Sequence, residues 1–163
     1  MNQAAEIFVT SRLFERIVQS PQNLIAIETA DTADVLAQFR RLALRTGQSV
    51  YTWEPDIGLT SLRESAMPVP STRRMSDALR YILQSMQFGV YLFHSGIERI
   101  RPPNTGLLRQ VSRIRTGNGR KVAFVAASLH LPEGLDELLE RITYSQTGST
   151  GSRPRLRDGR WVT

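Results

Sequence analysis

The fold is decided by the stretch NLIAIETADTADVLAQFRRLALRTGQSVYTWE, which runs from Asn23 to Glu54. Its opening run NLIAIET is short, apolar and rich in isoleucine, which is typical of a buried strand. Apolar residues then recur at helical spacing at Val35, Phe39, Leu42 and Ala43. Asp31 or Thr32 can cap this helix at its start, and Gly47 stands where a glycine commonly ends a helix. SVYTWE, which is β-branched and aromatic, predicts a second strand.

The same alternation of strand and helix continues along the chain. GVYLFH (Gly89–His94) and KVAFVAA (Lys121–Ala127) predict two more strands, and ITYS (Ile142–Ser145) a fifth. Residues 55–72 contain three prolines without clear periodicity and are expected to form a long loop. Three further apolar patterns predict helices: Met75, Leu79, Ile82, Leu83 and Met86; Leu107, Leu108, Val111 and Ile114; and, after Pro132, Leu135, Leu138, Leu139 and Ile142.

Strands separated by helices imply parallel pairing through right-handed crossovers. Strands that are apolar on both faces imply a sheet covered by helices on both sides. The expected fold is therefore a three-layer α/β domain of the P-loop-NTPase-like (Rossmannoid) type, with a mostly parallel sheet of about five strands flanked by helices.

Three segments are predicted along the chain: residues 1–22 as an N-terminal helix that packs on the domain, residues 23–145 as the α/β domain, and residues 146–163 as a flexible basic tail. The formal net charge is +6 and cysteine is absent, which excludes disulfides, thiolate metal sites and cysteine nucleophiles. No signal-peptide pattern opens the chain, and its apolar runs are far shorter than the roughly 20 residues of a membrane span. A cytoplasmic location is therefore expected.

The loop after the first predicted strand argues against a nucleotide site. A phosphate-binding loop needs glycines, whose backbone amides wrap the phosphates, and a lysine. ETADTADV has neither, and its carboxylates at Glu28, Asp31 and Asp34 would repel a triphosphate. After the third strand, FHSGIER lacks the strand-end aspartate that would hold magnesium. We therefore expect a degenerate site, with no catalytic residue, no cofactor and no metal.

Two sets of residues remain as candidates for binding. Ligands of open parallel sheets bind beyond the carboxyl ends of the strands, and the residues there are Thr29, Asp31, His94, Ser95 and Glu98. Basic residues that could hold an anion or nucleic acid surround one predicted helix and turn: Arg109, Arg113, Arg115, Arg120 and Lys121. For both sets ordinary structural roles are the commoner alternative, since polar strand exits usually make local hydrogen bonds and charged helix faces are usually solvated.

Several of these segments together resemble a known family. The strand that ends in Ile27, Glu28 and Thr29, the residues Val50, Tyr51, Trp53, Gly58 and Leu59, and the runs GVYLFHSG and KVAFVAASLHLPEGLDEL carry the likeness over residues 20–145. They resemble the degenerate, P-loop-like N-terminal domain of AAA ATPases of the uncharacterised plastid and cyanobacterial branch. The likeness departs at Ser95, where that family often carries an acidic residue. Because no AAA module follows, the resemblance implies a stand-alone, non-catalytic version of the domain.

Three functions are compatible with these features. The first is a pseudo-NTPase-like interaction or regulatory module, which would dock on an ATPase partner or self-associate. The second is a nucleic-acid-binding protein that uses the arginine stripe and the basic tail, with binding that weakens steeply with salt. The third is a small-molecule sensor at the strand-end crevice. The missing phosphate loop favours the first.

Overall fold

The computed structural model describes residues 12–63, 67–115 and 119–145 of the chain. Its six strands are β1 (Leu24–Glu28), β2 (Val50–Glu54), β3 (Gly58–Ser61), β4 (Gly89–Phe93), β5 (Arg120–Ala126) and β6 (Leu139–Thr143). Its helices are α1 (12–19), α2 (Thr32–Thr46), α3 (Met75–Gln84) and α4 (Asn104–Ser112), with short 3-10 turns at Ile97–Arg99 and Asp136–Leu138. The predicted tail at 146–163 lies outside the described residues.

The strands form one sheet in the order β3-β2-β4-β5-β1-β6. All neighbouring pairs are parallel except β2 and β3, which form an antiparallel hairpin. Strand β1 therefore lies inside the sheet, between β5 and β6. This mixed, mostly parallel sheet with its helices confirms the predicted α/β, P-loop-like three-layer fold.

Each face of the sheet carries its own apolar core because side chains alternate along a strand. On one face, Leu24 and Ala26 pack with the buried side chains of α3 and α4. On the other, Ile25 and Ile27 pack with those of α1 and α2. Helix α1 contributes Leu13, Phe14 and Ile17 to this second core. The boundary predicted at residue 22 stays a prediction.

Helix α2 begins and ends where local chemistry sets its limits. Asp31 is the N-cap, and its side chain accepts a hydrogen bond of 3.0 Å from the backbone N–H of Asp34. Gly47 adopts φ +75 and donates its N–H to the carbonyl of Ala43. Of the two caps that the sequence allowed, the structure selects Asp31 over Thr32.

The long loop predicted over residues 55–72 is wrong in part, because β3 lies within it. The strand GLTS is short and polar, so its own residues give no strand signal. Pairing supplies that signal, since Leu59 stands opposite Trp53 in the hairpin. The backbone groups of Leu59 that face away from β2 are also hydrogen-bonded. The N–H of Leu59 donates to Thr72 Oγ1 at 2.9 Å, and the carbonyl of Leu59 accepts from the N–H of Val69 at 2.7 Å.

The helix predicted after Pro132 is also wrong. Leu129, Leu131 and Leu135 cross the sheet in an irregular path and enter the core beside α3 and α4. The chain then pairs with β1 as β6, with Leu24 opposite Leu139. Leucines at helical spacing allowed a helix, but pairing with the open edge of β1 overrides that local preference.

Two predicted helices end earlier than their apolar patterns do. Helix α3 ends at Gln84, so Met86 lies beyond it and is 79% exposed. The guanidinium of Arg120 fixes this end, because its Nη1 donates to the carbonyls of Leu83 and Ser85. Helix α4 ends at Ser112, before Ile114.

Candidate functional site

The carboxyl end of β1 is tied into its surroundings by Thr29 and Asp31. The backbone N–H of Thr29 donates to the carbonyl of Ala126 on β5 at 3.0 Å, and Thr29 is buried. Its Oγ1 accepts from the N–H of Asp31 at 3.3 Å. Asp34, which follows in α2, accepts from Gln38 Nε2 at 2.7 Å. The acidic loop therefore serves to start α2, with its carboxylates engaged in local bonds.

Glu28 joins the ends of three chain segments at the same edge of the sheet. Its Oε2 accepts from the backbone N–H of Leu129 and from Arg141 Nη1, each at 3.1 Å. Arg141 also donates to the carbonyl of Leu129 at 3.2 Å and to Asp136 Oδ1 at 2.9 Å. We call these four residues the Glu28 cluster. It spans β1, the segment after β5 and β6, and places a carboxylate where an anionic ligand would need donors.

The crevice at the carboxyl ends of the strands lies beside β1, because the chain leaves the neighbouring strands β1 and β5 toward opposite faces of the sheet. After β1 it enters α2 on one face, and after β5 it crosses the other face through Leu129 and Leu135. The Glu28 cluster stands at this point. The backbone N–H of Leu129 could contact a phosphate at this position, but it already donates a hydrogen bond to Glu28.

His94 follows β4 on the far side of β5. Its Nε2 lies 3.6 Å from Glu54 Oε2 at the end of β2, and its side chain is 17% exposed. Burial lowers the pKa of His94, while the charge of Glu54 and a hydrogen bond to it act in the opposite direction. Glu98 is largely exposed and stands 3.7 Å from Arg99 Nε.

The five crevice candidates therefore form two separate groups. Thr29 and Asp31 belong to β1, whereas His94, Ser95 and Glu98 follow β4. Since β5 lies between β1 and β4, the groups are separated by two strand spacings, about 10 Å. The structure does not bring them into one constellation, and their role as a ligand site stays a prediction.

We expect the depressed pKa of His94 to make the protein sensitive to acid. The unfolded histidine binds its proton as pH falls below 6.5, whereas the folded one resists, so the unfolding free energy should decrease with falling pH. Urea titrations of the wild type and of His94→Gln at neutral and mildly acidic pH measure this. The variant should show a flatter dependence, and equal slopes would contradict the assignment.

The five basic residues of the predicted stripe do not share one surface. Arg120 and Lys121 are only 6% and 5% exposed, because both stand on β5 inside the sheet. Their side chains point to opposite faces. Arg120 caps α3, while Lys121 Nζ donates to the carbonyls of Ser20 and Gln22 at 2.7 and 2.8 Å and to Asn23 Oδ1 at 3.3 Å. The single stripe predicted from the sequence is corrected in this respect.

The other three basic residues remain accessible. Arg113 and Arg115 are exposed and Arg109 is half-buried. Arg115 Nη1 donates to the carbonyls of Ser112 and Ile114, at 2.9 and 3.0 Å, beyond the end of α4. Binding of phosphate by these three arginines stays a prediction.

Sequence reasoning missed Arg141 and Asp136, which complete the Glu28 cluster. The helix predicted after Pro132 would have placed them on a solvated helical face. With the segment as a strand, Arg141 stands opposite Ala26, one pleat from Glu28. The available signal was the run Ile142–Ser145, which predicts a strand; β6 extends from Leu139 to Thr143 and so brings Arg141 into it.

Other chemistry is sparse over the described ranges. Within residues 12–63, 67–115 and 119–145, no group of three or more His, Asp or Glu side chains could hold a metal ion. Ser128 Oγ lies 3.1 Å from His130 Nε2, and both residues are exposed, so water competes for each partner. In the same part of the chain, no helix is both long and apolar enough to cross a bilayer.

Together, the sheet order and the Glu28 cluster describe a P-loop-like α/β domain in which the carboxyl end of β1 is hydrogen-bonded to the segment after β5 and to β6. Comparison with protein families gives a match over residues 10–144 to the N-terminal domain of SpoVK-like AAA ATPases. The chain belongs to this family. No curated protein and no solved structure showed significant similarity to it.

Proposed function

We propose that this chain is a non-catalytic interaction or regulatory module of the AAA N-terminal domain family. In this role it docks on an ATPase partner or associates with itself, and it binds no nucleotide. The Glu28 cluster carries the proposal, because it fills the position of a phosphate cradle with a carboxylate and uses the N–H of Leu129 internally. Membership of a family of ATPase-associated N-terminal domains supports the partner class.

The electrostatics support the absence of a triphosphate site. Glu28 and Asp31 present carboxylates beside β1, and the guanidinium of Arg141 already pairs with Glu28 and Asp136. A triphosphate placed here would meet the negative charge of these carboxylates.

We expect calorimetric titration of the chain with MgATP to give no binding heat, and its melting temperature not to rise with nucleotide.

Glu28→Ala should lower the unfolding free energy by about 1–2 kcal/mol, since it leaves the partly buried N–H of Leu129 and Arg141 without their acceptor. Glu98→Ala is the matched control. Its carboxylate is 77% exposed, so its loss should cost less than about 0.5 kcal/mol.

Micromolar, magnesium-dependent ATP binding would overturn the proposal. Equal costs for the variants at residues 28 and 98 would show that the cluster does not form in solution. The two measurements are independent, because the first tests the ligand and the second tests the closure that we hold responsible for excluding it.

The alternative functions stay predictions. Nucleic-acid binding would now depend on Arg109, Arg113 and Arg115 with the predicted tail, since Arg120 and Lys121 are buried. A low-salt gel shift without retardation of DNA or RNA would remove it. A sensor would have to use either the Thr29 side or the His94 side of β5, and a flat thermal-shift response to metabolites would count against it.

A further inference from the structure

The β2–β3 hairpin and the segment that follows it enclose an open, mainly apolar cavity at the β3 edge of the sheet. Its volume is about 640 Å³. Five of the described residues that line it are apolar: Ile57, Met67, Pro68, Val69 and Pro70. We call these residues, with Arg73 and Arg74 at the rim, the Met67 surface. Ile57 is 47% exposed and Met67 87%, and exposed apolar side chains gathered in one place are typical of sites of protein association.

The Met67 surface is held in place by the hydrogen bonds that cover β3. The N–H of Val69 donates to the carbonyl of Leu59, and Thr72 Oγ1 donates to the carbonyl of Val69, each at 2.7 Å. The rings of Pro68 and Pro70 fix the backbone on both sides of Val69. The segment therefore has little conformational freedom to lose when a partner binds. Because the backbone of Leu59 is already bonded, a partner contacts side chains here and does not add a strand to the sheet at this residue.

The charged groups at the rim give this surface a positive sign. Arg73 and Arg74 are exposed, and neither guanidinium forms a hydrogen bond or an ion pair with any described residue. Asp77 is the one carboxylate among the described lining residues, and it already pairs with Arg80 Nη1 at 3.4 Å. Asp56 is exposed in the hairpin turn but does not line the cavity. Two guanidiniums therefore stand beside exposed apolar side chains without a counter-charge from the described part of the chain.

We propose that the Met67 surface binds a protein segment that carries carboxylates beside apolar side chains. The apolar side chains of that segment pack on Ile57 and Met67, and its carboxylates accept paired hydrogen bonds from the guanidiniums of Arg73 and Arg74. This inference rests on the proposed interaction role and states the chemistry of the partner.

The charges and the lining favour this occupant over two others. A second copy related by a two-fold axis would set Arg73 and Arg74 against the same residues of its partner, and each copy carries a net charge of +6. A nucleic acid would pair with the guanidiniums, but none of the described residues that line the cavity is aromatic, so its bases would find no ring to stack on.

Fluorescence anisotropy of the full chain with three labelled peptides tests the proposal. The peptides share leucines at the same positions and carry glutamate, glutamine or lysine at the others. We expect the glutamate peptide to bind about tenfold more tightly than the glutamine peptide, and the lysine peptide not to bind, because carboxylates complement the free guanidiniums. A glutamate peptide that does not bind, or that binds no better than the lysine peptide, overturns the proposal.

Paired substitutions show whether the charge of this surface is responsible. Arg73→Gln combined with Arg74→Gln should lower the affinity for the glutamate peptide by about tenfold, to that of the glutamine peptide. The matched control removes the same charge elsewhere, by Arg40→Gln combined with Arg45→Gln. Both control residues are exposed on α2, which packs on the opposite face of the sheet from α3, so the control should bind like the wild type.

The apolar half of the contact is tested by Met67→Ser, which should weaken binding of the glutamate peptide by about tenfold, with Leu44→Ser as its control. Leu44 is 61% exposed on α2, so its replacement should leave binding unchanged, and unchanged melting temperatures would show that all variants fold. Equal effects at the surface and at the control positions overturn the proposal. So does an RNA oligonucleotide that binds as tightly as the glutamate peptide and depends on the same arginines. Such a failure leaves the proposed interaction role open, because that role is tested separately by the absence of MgATP binding.

Discussion

Replacing Lys121 by methionine is expected to lower the unfolding free energy by about 3 kcal/mol. Methionine keeps most of the apolar stem but removes the ammonium. The carbonyls of Ser20 and Gln22 and the Oδ1 of Asn23 would then lose their donor in a place that is 5% exposed. Burial lowers the pKa of Lys121, so part of the loss is offset by the removal of a buried charge.

The position of Lys121 explains why this single side chain has a large effect. It joins the end of α1 to the start of β1, and Asn23 extends the network by donating to the carbonyls of Val111 and Ile114, each at 2.9 Å, near the end of α4. Lys121 and Asn23 together therefore link the helices on both faces to the sheet.

Urea denaturation monitored by circular dichroism measures this loss, with Arg113→Met as the control. Arg113 belongs to the same predicted basic stripe but is exposed, so its replacement should change the unfolding free energy by less than about 0.5 kcal/mol. Similar effects at the two positions would mean that the ammonium bonds are not formed in solution.

The central strands and α2 were predictable because their signals are local. The isoleucine run of β1, the Asp31 cap and the left-handed Gly47 each act within a few residues. The short strand β3 was not, because its own residues do not specify it, and β6 was predicted only in part, since the fifth strand expected over Ile142–Ser145 begins three residues earlier, at Leu139. Each forms through pairing with a distant partner, and β6 also depends on Gly134, whose φ of +93 redirects the chain after Pro132.

The candidate sites divide along the same line. The acidic character of the β1 loop was visible in the sequence, whereas the bonds of Glu28 depend on Arg141 and on the backbone of Leu129, which lies 101 residues beyond it. The basic stripe shows the opposite case, in which residues close in the sequence are separated in the structure. Arg120 and Lys121 are neighbours in sequence, but a strand sends neighbouring side chains to opposite faces.

The hydroxyl of Thr72 helps to form the strand β3, which the residues of β3 alone do not predict. Its Oγ1 accepts from the N–H of Leu59 and donates to the carbonyl of Val69 at 2.7 Å, while its own carbonyl accepts from Trp53 Nε1 at 2.8 Å. A Cβ on Gly58 would stand 2.6 Å from this hydroxyl, and Gly58 also adopts φ +102. Glycine is therefore required for the close approach that covers the edge of β3.

We expect Thr72→Val to lower the unfolding free energy by about 3 kcal/mol, because valine keeps the shape but leaves the buried N–H of Leu59 without an acceptor and the carbonyl of Val69 without its donor. Thr72→Ser keeps both bonds and loses one methyl, at a cost of about 1 kcal/mol. Denaturant titration of both variants, with near-ultraviolet circular dichroism to follow Trp53, measures the difference. If serine cost as much as valine, methyl packing would account for the role of Thr72, and the hydroxyl would not be what holds residues 69–72 against β3.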